Sequence, residues 1–155
     1  MFSKKPRGLG RFAFRLPICF YRLRLGWVLG TRFLLLTHIG RKSGQHYQTV
    51  IEVIRYDKSI DTYMVVSGFG QKSDWYCNIK HNPDVVVTVG TRTAPAQAEC
   101  LSNARGALEL RAYAQNHPIA FRLLSRLLFG KTPDLTDENL EQLVELVPVV
   151  AFRCS

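Results

Sequence analysis

Arg32-Phe-Leu-Leu-Leu-Thr-His38, the turn Gly40-Arg41-Lys42-Ser43-Gly44, then Gln48-Thr-Val-Ile-Glu-Val-Ile-Arg-Tyr56 and Thr62-Tyr-Met-Val-Val-Ser67 form the stretch on which the fold depends. Residues 32–38 are an apolar run of strand length, bounded by a glycine pair that permits a tight turn. In 48–56 the residues Val50, Ile51, Val53 and Ile54 stand among polar neighbours, which predicts a second strand with one bulge or a buried middle. Asp57 to Asp61 reads as a turn, and 62–67 as a third strand that makes a hairpin with the second.

The pattern continues outward in both directions. Upstream, Pro17 suits a first helical turn and Gly26 and Gly30 loosen the end, so 17–30 reads as a short helix. Downstream, Gly68-Phe69-Gly70 breaks the third strand and feeds a polar loop. A short helix over 74–81 is stopped by Asn82-Pro83. Residues 84–89, with four valines and a threonine, and the alternating run 92–100 predict two more strands, the latter despite Pro95. Helical spacing marks 103–116 and 118–129, divided by Pro118 and closed by Gly130, and again 137–147. A last strand begins at Pro148. Short strands joined by tight turns, with helices alongside, favour a closed or partly closed barrel of the α+β kind, mainly β with flanking helices. Neither the alternating βαβ order of a dinucleotide fold nor its glycine fingerprint is present.

Charge is distributed unevenly. The formal net charge is +9, yet residues 1–51 hold ten basic side chains and no acid, while the remaining 104 carry 11 basic and 12 acidic ones. The excess belongs to a segment, which points to an anionic surface or ligand and away from nucleic acid. Arg22, Arg24 and Arg32 interrupt the apolar stretch from Leu16 to Thr37, so neither a signal peptide nor a membrane span is expected there. The expectation is a basic arm and helix over 1–31 followed by a cofactor-binding barrel over 32–155, one domain overall. The arm either makes peripheral contact with an anionic membrane through residues 1–32, or caps the barrel or a partner subunit with its arginines solvated. Cys19, Cys77, Cys100 and Cys154 include no Cys-x-x-Cys pair, and His38, His46, His81 and His117 lack metal-ligand spacing. Free thiols in a cytoplasmic protein and no metal site are expected.

Two elements carry chemistry. In the turn Gly40 to Gly44, two glycines bring backbone N–H groups close to an oxyanion, and Arg41, Lys42 and Ser43 suit phosphate oxygens. The same residues also describe a solvated basic hairpin, and spacing alone leaves both readings open. In Ser67-Gly68-Phe69-Gly70-Gln71-Lys72-Ser73-Asp74-Trp75, glycines again permit close approach, Lys72 adds charge, and the following helix would point its N-terminus at the same region. Asp74 also fits a purely structural first-turn role, Trp75 a core aromatic, and Asn78 a partner for buried backbone.

Taken in order, Leu34 to Gly44, Val65-Val-Ser-Gly-Phe-Gly70 and Asp74-Trp-Tyr-Cys-Asn-Ile-Lys-His-Asn-Pro83 closely resemble the deazaflavin (F420)-dependent nitroreductase family, within the flavin/deazaflavin oxidoreductases. The likeness extends more weakly to most of the chain. It implies an FMN-binding-like split β-barrel and hydride transfer from the reduced deazaflavin to a quinone-like, activated-alkene or nitroaromatic acceptor. It further implies that Arg41, Lys42, Ser43 and Gly44 grip the cofactor phosphate and acidic tail. Ser67, Gly68, Gly70 and Lys72 would line the other side, Trp75 and Asn78 would fix the loop and helix, and Tyr47, Gln48 and Thr49 would flank the ring. Family members often carry an arginine where this chain has Tyr47, a departure that leaves FMN as an alternative cofactor. Tyr113 is the nearest counterpart of the substrate-side tyrosines of some members. A homodimer is expected by analogy, and a non-catalytic cofactor- or lipid-binding barrel is the reading from another class.

Overall fold

The computed structural model describes residues 31–155, leaving aside the side chains of Leu124, Leu127, Leu128 and Phe129. The helix expected over 17–30, and with it nearly all of the basic arm, lies outside the described residues. Six strands follow, β1 (Phe33–Ile39), β2 (His46–Asp57), β3 (Thr62–Val66), β4 (Asp84–Val89), β5 (Arg92–Cys100) and β6 (Val149–Cys154). Helix α1 (Asp74–His81) joins β3 to β4, and α2 (Asn103–Asn116), α3 (Pro118–Phe129) and α4 (Asp137–Leu146) lie between β5 and β6.

The strands close in the order β1-β2-β3-β6-β5-β4, every neighbouring pair antiparallel. Closure leaves no unpaired edge. β2 starts earlier than its composition predicts because His46 and Tyr47 pair with Ile39 and His38 across the tight turn. Its expected irregularity is a bulge: Val53 pairs with Val65 and Arg55 with Met64, so Ile54 and Arg55 together oppose Met64. Val53 packs against the barrel interior, while Ile54 joins the outer helical layer and Arg55 bonds Glu109 of α2, so both residues of the bulge meet the outer side. Pro95 is tolerated because its carbonyl, and hence its missing donor, face the β6 side at the last rung, where Ser155 N–H donates to Pro95 O at 3.0 Å.

Alternation then builds two cores. Leu34, Leu36, Ile51, Val65, Val85, Val87, Val150 and Phe152 fill the barrel, and Trp75, Tyr76 and Ile79 of α1 plug one end. On the outer face, Ile54, Met64, Val66, Val149 and Ala151 meet Leu110, Tyr113, Leu140, Leu143 and Val144 of α2 and α4. Gly106 sets that layer's spacing: a Cβ there would lie 2.8 Å from Val144 Cγ1. Ser102 and Thr136 cap α2 and α4 by accepting the N–H groups of Arg105 and Asn139.

Candidate functional site

Antiparallel pairing gathers both chemical elements at the barrel end that α1 plugs. This end holds the β1–β2 turn, the segment after β3 and the start of α1. Within the turn, Gly44 N–H donates to Gly40 O at 2.9 Å and Gly40 N–H to Gln45 O at 2.8 Å. Gln45 N–H reaches Ser43 Oγ at 3.2 Å, and Arg41 N–H reaches Asn78 Oδ1 at 3.1 Å. Gly44 adopts φ +72°, which an L side chain resists. The N–H groups of Lys42 and Ser43 are left with no protein acceptor among the described residues, and both residues are exposed. Two successive N–H groups in such a turn form an anion-binding concavity, here with an ammonium on the first residue and a hydroxyl on the second.

Arg41 is turned inward. Its Nη1 donates to Asn78 Oδ1 at 2.8 Å, and its Nη2 lies 3.6 Å from Asp74 Oδ1. The turn is therefore tied to α1 through Arg41, while Lys42 and Ser43 are exposed. The start of α1 is beside them, and Ser73 at its N-cap makes no capping bond with its side chain. Helical N–H groups and the positive end of the dipole thus add to the same potential, with the Asp74 carboxylate opposing it.

Tyr47 closes the turn from the β2 side. Its hydroxyl lies 3.1 Å from Ser43 Oγ, and its ring stacks on His38 with centroids 6.1 Å apart. A Cβ on Gly40 would come within 2.6 Å of Tyr47 Cε2, so glycine is required by this close approach as well as by the bend. Strand alternation separates the three residues expected at the ring. Tyr47 and Thr49 share the face of His38 and Leu36, whereas Gln48 pairs with Thr37 on the opposite face, Nε2 to Oγ1 at 3.4 Å. A planar ring on one side of β2 meets either Gln48 or the Tyr47–Thr49 pair.

The second element is largely self-stapled. Ser67 is fully buried, its Oγ donating to Gly70 O at 2.7 Å and its N–H to Pro148 O at 2.8 Å. Gly70 has φ +82°, and a Cβ there would lie 3.0 Å from Leu146 O. Gln71 Nε2 donates to Glu145 O at 2.9 Å, fastening the loop to the end of α4. Gly68 is half-buried, and Lys72 is exposed with no carboxylate within 4.0 Å among the described residues. Trp75 is a core residue, tilted against Phe152 at 6.3 Å.

Tyr113 is not brought to this end. Its hydroxyl donates to Glu52 Oε1 at 3.1 Å, and Glu52 pairs with Phe33 at the start of β1. That places the contact six residues along β2 from His46, roughly 20 Å at the rise of an extended strand. Burial, with Glu52 adding to it, pushes the Tyr113 phenol up to about 12. Its place is in the helical layer, edge-on to Phe121.

Sequence reasoning passed over His38. It is 4% exposed, on the inward face in register with Leu34 and Leu36, and its Nδ1 lies 3.0 Å from Asn78 Nδ2. The available signal was its period-two position behind two inward leucines, directly before the glycine turn. Burial holds its imidazole down to about 4, with the Asp74 charge opposing the shift. The unfolded chain takes up this proton near 6.5 and the folded protein only near 4, so the unfolded state binds more protons between those values. Stability conferred at neutral pH should accordingly fall as pH is lowered through 6.5 and level off below about 4. Urea midpoints of the wild type and His38→Asn across this window isolate the effect. Parallel pH profiles would show that His38 titrates normally.

The family described as F420H(2)-dependent quinone reductase matches residues 21–121, which include the turn, the loop and α1. No curated protein matches the chain. Among solved structures it is similar to an F420-H2 dependent reductase, FDR-A, at 21% identity and TM-score 0.54, covering 79% of this chain and 94% of that one. It is similar to General Stress Protein 26 from Bacillus anthracis at 12% identity and TM-score 0.53, covering 86% of this chain and 89% of that one. The heme storage protein HutZ from Vibrio cholerae gives 12% identity and TM-score 0.53, with 91% of each chain covered. These likenesses show the split-barrel fold expected from the sequence.

Proposed function

The chain belongs to the F420H(2)-dependent quinone reductase family, and from that premise we propose that the Gly40–Gly44 turn holds the phosphate and acidic tail of the deazaflavin F420. The protein is an F420-dependent reductase. The single observation that carries the site is the pair of successive N–H groups at the exposed Lys42 and Ser43, without protein acceptors among the described residues, beside the Lys42 ammonium and the start of α1, where Ser73 makes no side-chain capping bond. An anionic group fits this donor set, because every group it would meet there except Asp74 is a donor or a cation.

In this reading Lys42, Ser43 and the backbone leading to Gly44 bind phosphate oxygens, and Lys72 meets the acidic tail from the other side. Arg41 and Asn78 shape the turn. Ser67, Gly68 and Gly70 hold the loop close, and Trp75 anchors α1 in the core. Gln48 flanks the ring from one face of β2, or Tyr47 and Thr49 flank it from the other. The reduced deazaflavin supplies a hydride when bound. The chain's part is to orient the ring and to keep water from it while an electron-poor acceptor stacks there. Quinones lead the proposed acceptors, followed by activated alkenes and nitroaromatics. FMN in the same site is the second reading, and the observation favouring it is Tyr47, which packs on Gly40 and brings no cation to a long acidic tail.

We place the functional boundary at residue 31, with the acid-free basic arm supporting peripheral contact with the inner, anionic face of the cytoplasmic membrane. Among the described residues no helix is long and apolar enough to cross a membrane. A homodimer remains the proposed assembly. Titration of reduced F420 with the purified protein, followed by turnover of a soluble quinone, tests the proposal. Micromolar binding with quinone reduction is expected; FMN bound in preference to F420 would favour the second reading, and binding of neither would overturn both.

A further inference from the structure

We infer that His38 is a positioning residue for the cofactor turn: the lone pair on its Nδ1 orients the Asn78 amide, and Asn78 in turn fixes Arg41. This deepens the proposed site and rests on it. Asn78 is 4% exposed and two-ended. Its Oδ1 accepts both the Arg41 N–H at 3.1 Å and Arg41 Nη1 at 2.8 Å. Its Nδ2 lies 3.0 Å from His38 Nδ1. An amide has nearly the same shape when flipped, so packing alone does not choose its orientation; the groups at its two ends do. Arg41 presents only donors, so the carbonyl must face it and the NH2 must face an acceptor. His38 supplies that acceptor only as a neutral ring with its proton on Nε2.

The surroundings favour that state. His38 is buried on the inward face of β1, with the Tyr47 ring stacked on it. The charge acting on the ring is Asp74 from α1, which favours a proton, while the Arg41 guanidinium is bonded to the far end of Asn78. Burial exceeds the pull of Asp74 and keeps the ring neutral. A protonated His38 would set two donors against each other and invert the amide, turning its NH2 onto the Arg41 donors. The Arg41 N–H would then lose its acceptor, and the turn that carries the N–H groups of Lys42 and Ser43 would keep only the Arg41–Asp74 ion pair as its tie to α1.

The test combines nitrogen NMR of the His38 ring in the full chain with F420 titrations of Lys42→Ala, His38→Asn, His38→Leu and Asn78→Asp. The wild-type ring should carry its proton on Nε2 throughout about pH 5.5 to 8. His38→Asn places a carbonyl oxygen where Nδ1 was and should bind F420 within about twofold of the wild type, whereas His38→Leu strands a buried donor and should bind about tenfold more weakly. In Asn78→Asp the carboxylate still accepts from Arg41 but has no hydrogen to give, so His38 should take a proton and titrate above 6.5. An Nδ1-protonated wild-type ring, an unshifted His38 in Asn78→Asp, or wild-type affinity in His38→Leu alongside weakened Lys42→Ala would overturn the inference. If Lys42→Ala also binds as the wild type does, the site assignment fails instead, and the two NMR measurements still decide the relay. They decide it equally if His38→Leu does not fold.

Discussion

Replacing Lys42 and Ser43 together by alanine should raise the dissociation constant for reduced F420 by at least about a hundredfold, since charge-assisted hydrogen bonds contribute about 1.5–3 kcal/mol each and tenfold corresponds to about 1.4 kcal/mol. Both side chains are exposed, so the substitution should cost only about 1 kcal/mol of stability, through the bonds of the Ser43 hydroxyl to Gln45 N–H and to the Tyr47 hydroxyl. The backbone N–H groups survive it, which is why binding should weaken and not vanish. Arg41→Ala should behave differently. Its guanidinium is bonded to Asn78 and lies near Asp74, so its loss should lower stability as well as affinity. Fluorescence titration of the cofactor with each variant, paired with thermal melts, separates the two patterns. A dissociation constant within about threefold of the wild type for the double variant would show that the anion lies elsewhere.

The largest stability effect should come from the barrel interior. Phe152 is the largest of the fully buried side chains among the described residues and sits on β6 between β3 and β5, tilted against the Trp75 plug. Phe152→Ala should cost about 3–5 kcal/mol, because it loses apolar burial and leaves a cavity that a closed barrel has little freedom to collapse around. For a chain of this size that is a fall of about 10 °C or more in the melting midpoint. Phe152→Leu keeps most of the volume and should cost clearly less. Urea unfolding of both variants measures the difference. A cost below about 1 kcal/mol for Phe152→Ala would mean that the barrel is not packed as a single core.

Every element within the described residues was legible from local pattern, because most are bounded by a residue with a strong backbone preference: Gly40 and Gly44, Gly68, Asn82-Pro83, Gly90, Pro118, Gly130 and Pro148. Closure was left open between complete and partial. The pairing of β1 with β4 joins residues some fifty apart, and no local rule specifies it. At the site, Lys42, Ser43 and Lys72 are exposed, as anion binding would need, while the buried polar residues do something the motif does not state. Ser67 spends its hydroxyl on Gly70 O, and Asn78 bridges Arg41 and His38. Those roles depend on partners far along the chain. Tyr113 has the right chemistry for a proton donor, but the α2 packing that buries it puts it at the far end of the β1–β2 hairpin, beside Glu52.

The central claim is that the Gly40–Gly44 turn is the anion-binding part of the cofactor site. Amide NMR of the labelled protein during titration with F420 tests it most directly. The largest shifts should fall on the N–H groups of Lys42, Ser43 and Gly44 and on the first turn of α1, with Glu52 and Tyr113 unmoved. Saturable binding that leaves residues 40–44 unshifted would contradict it.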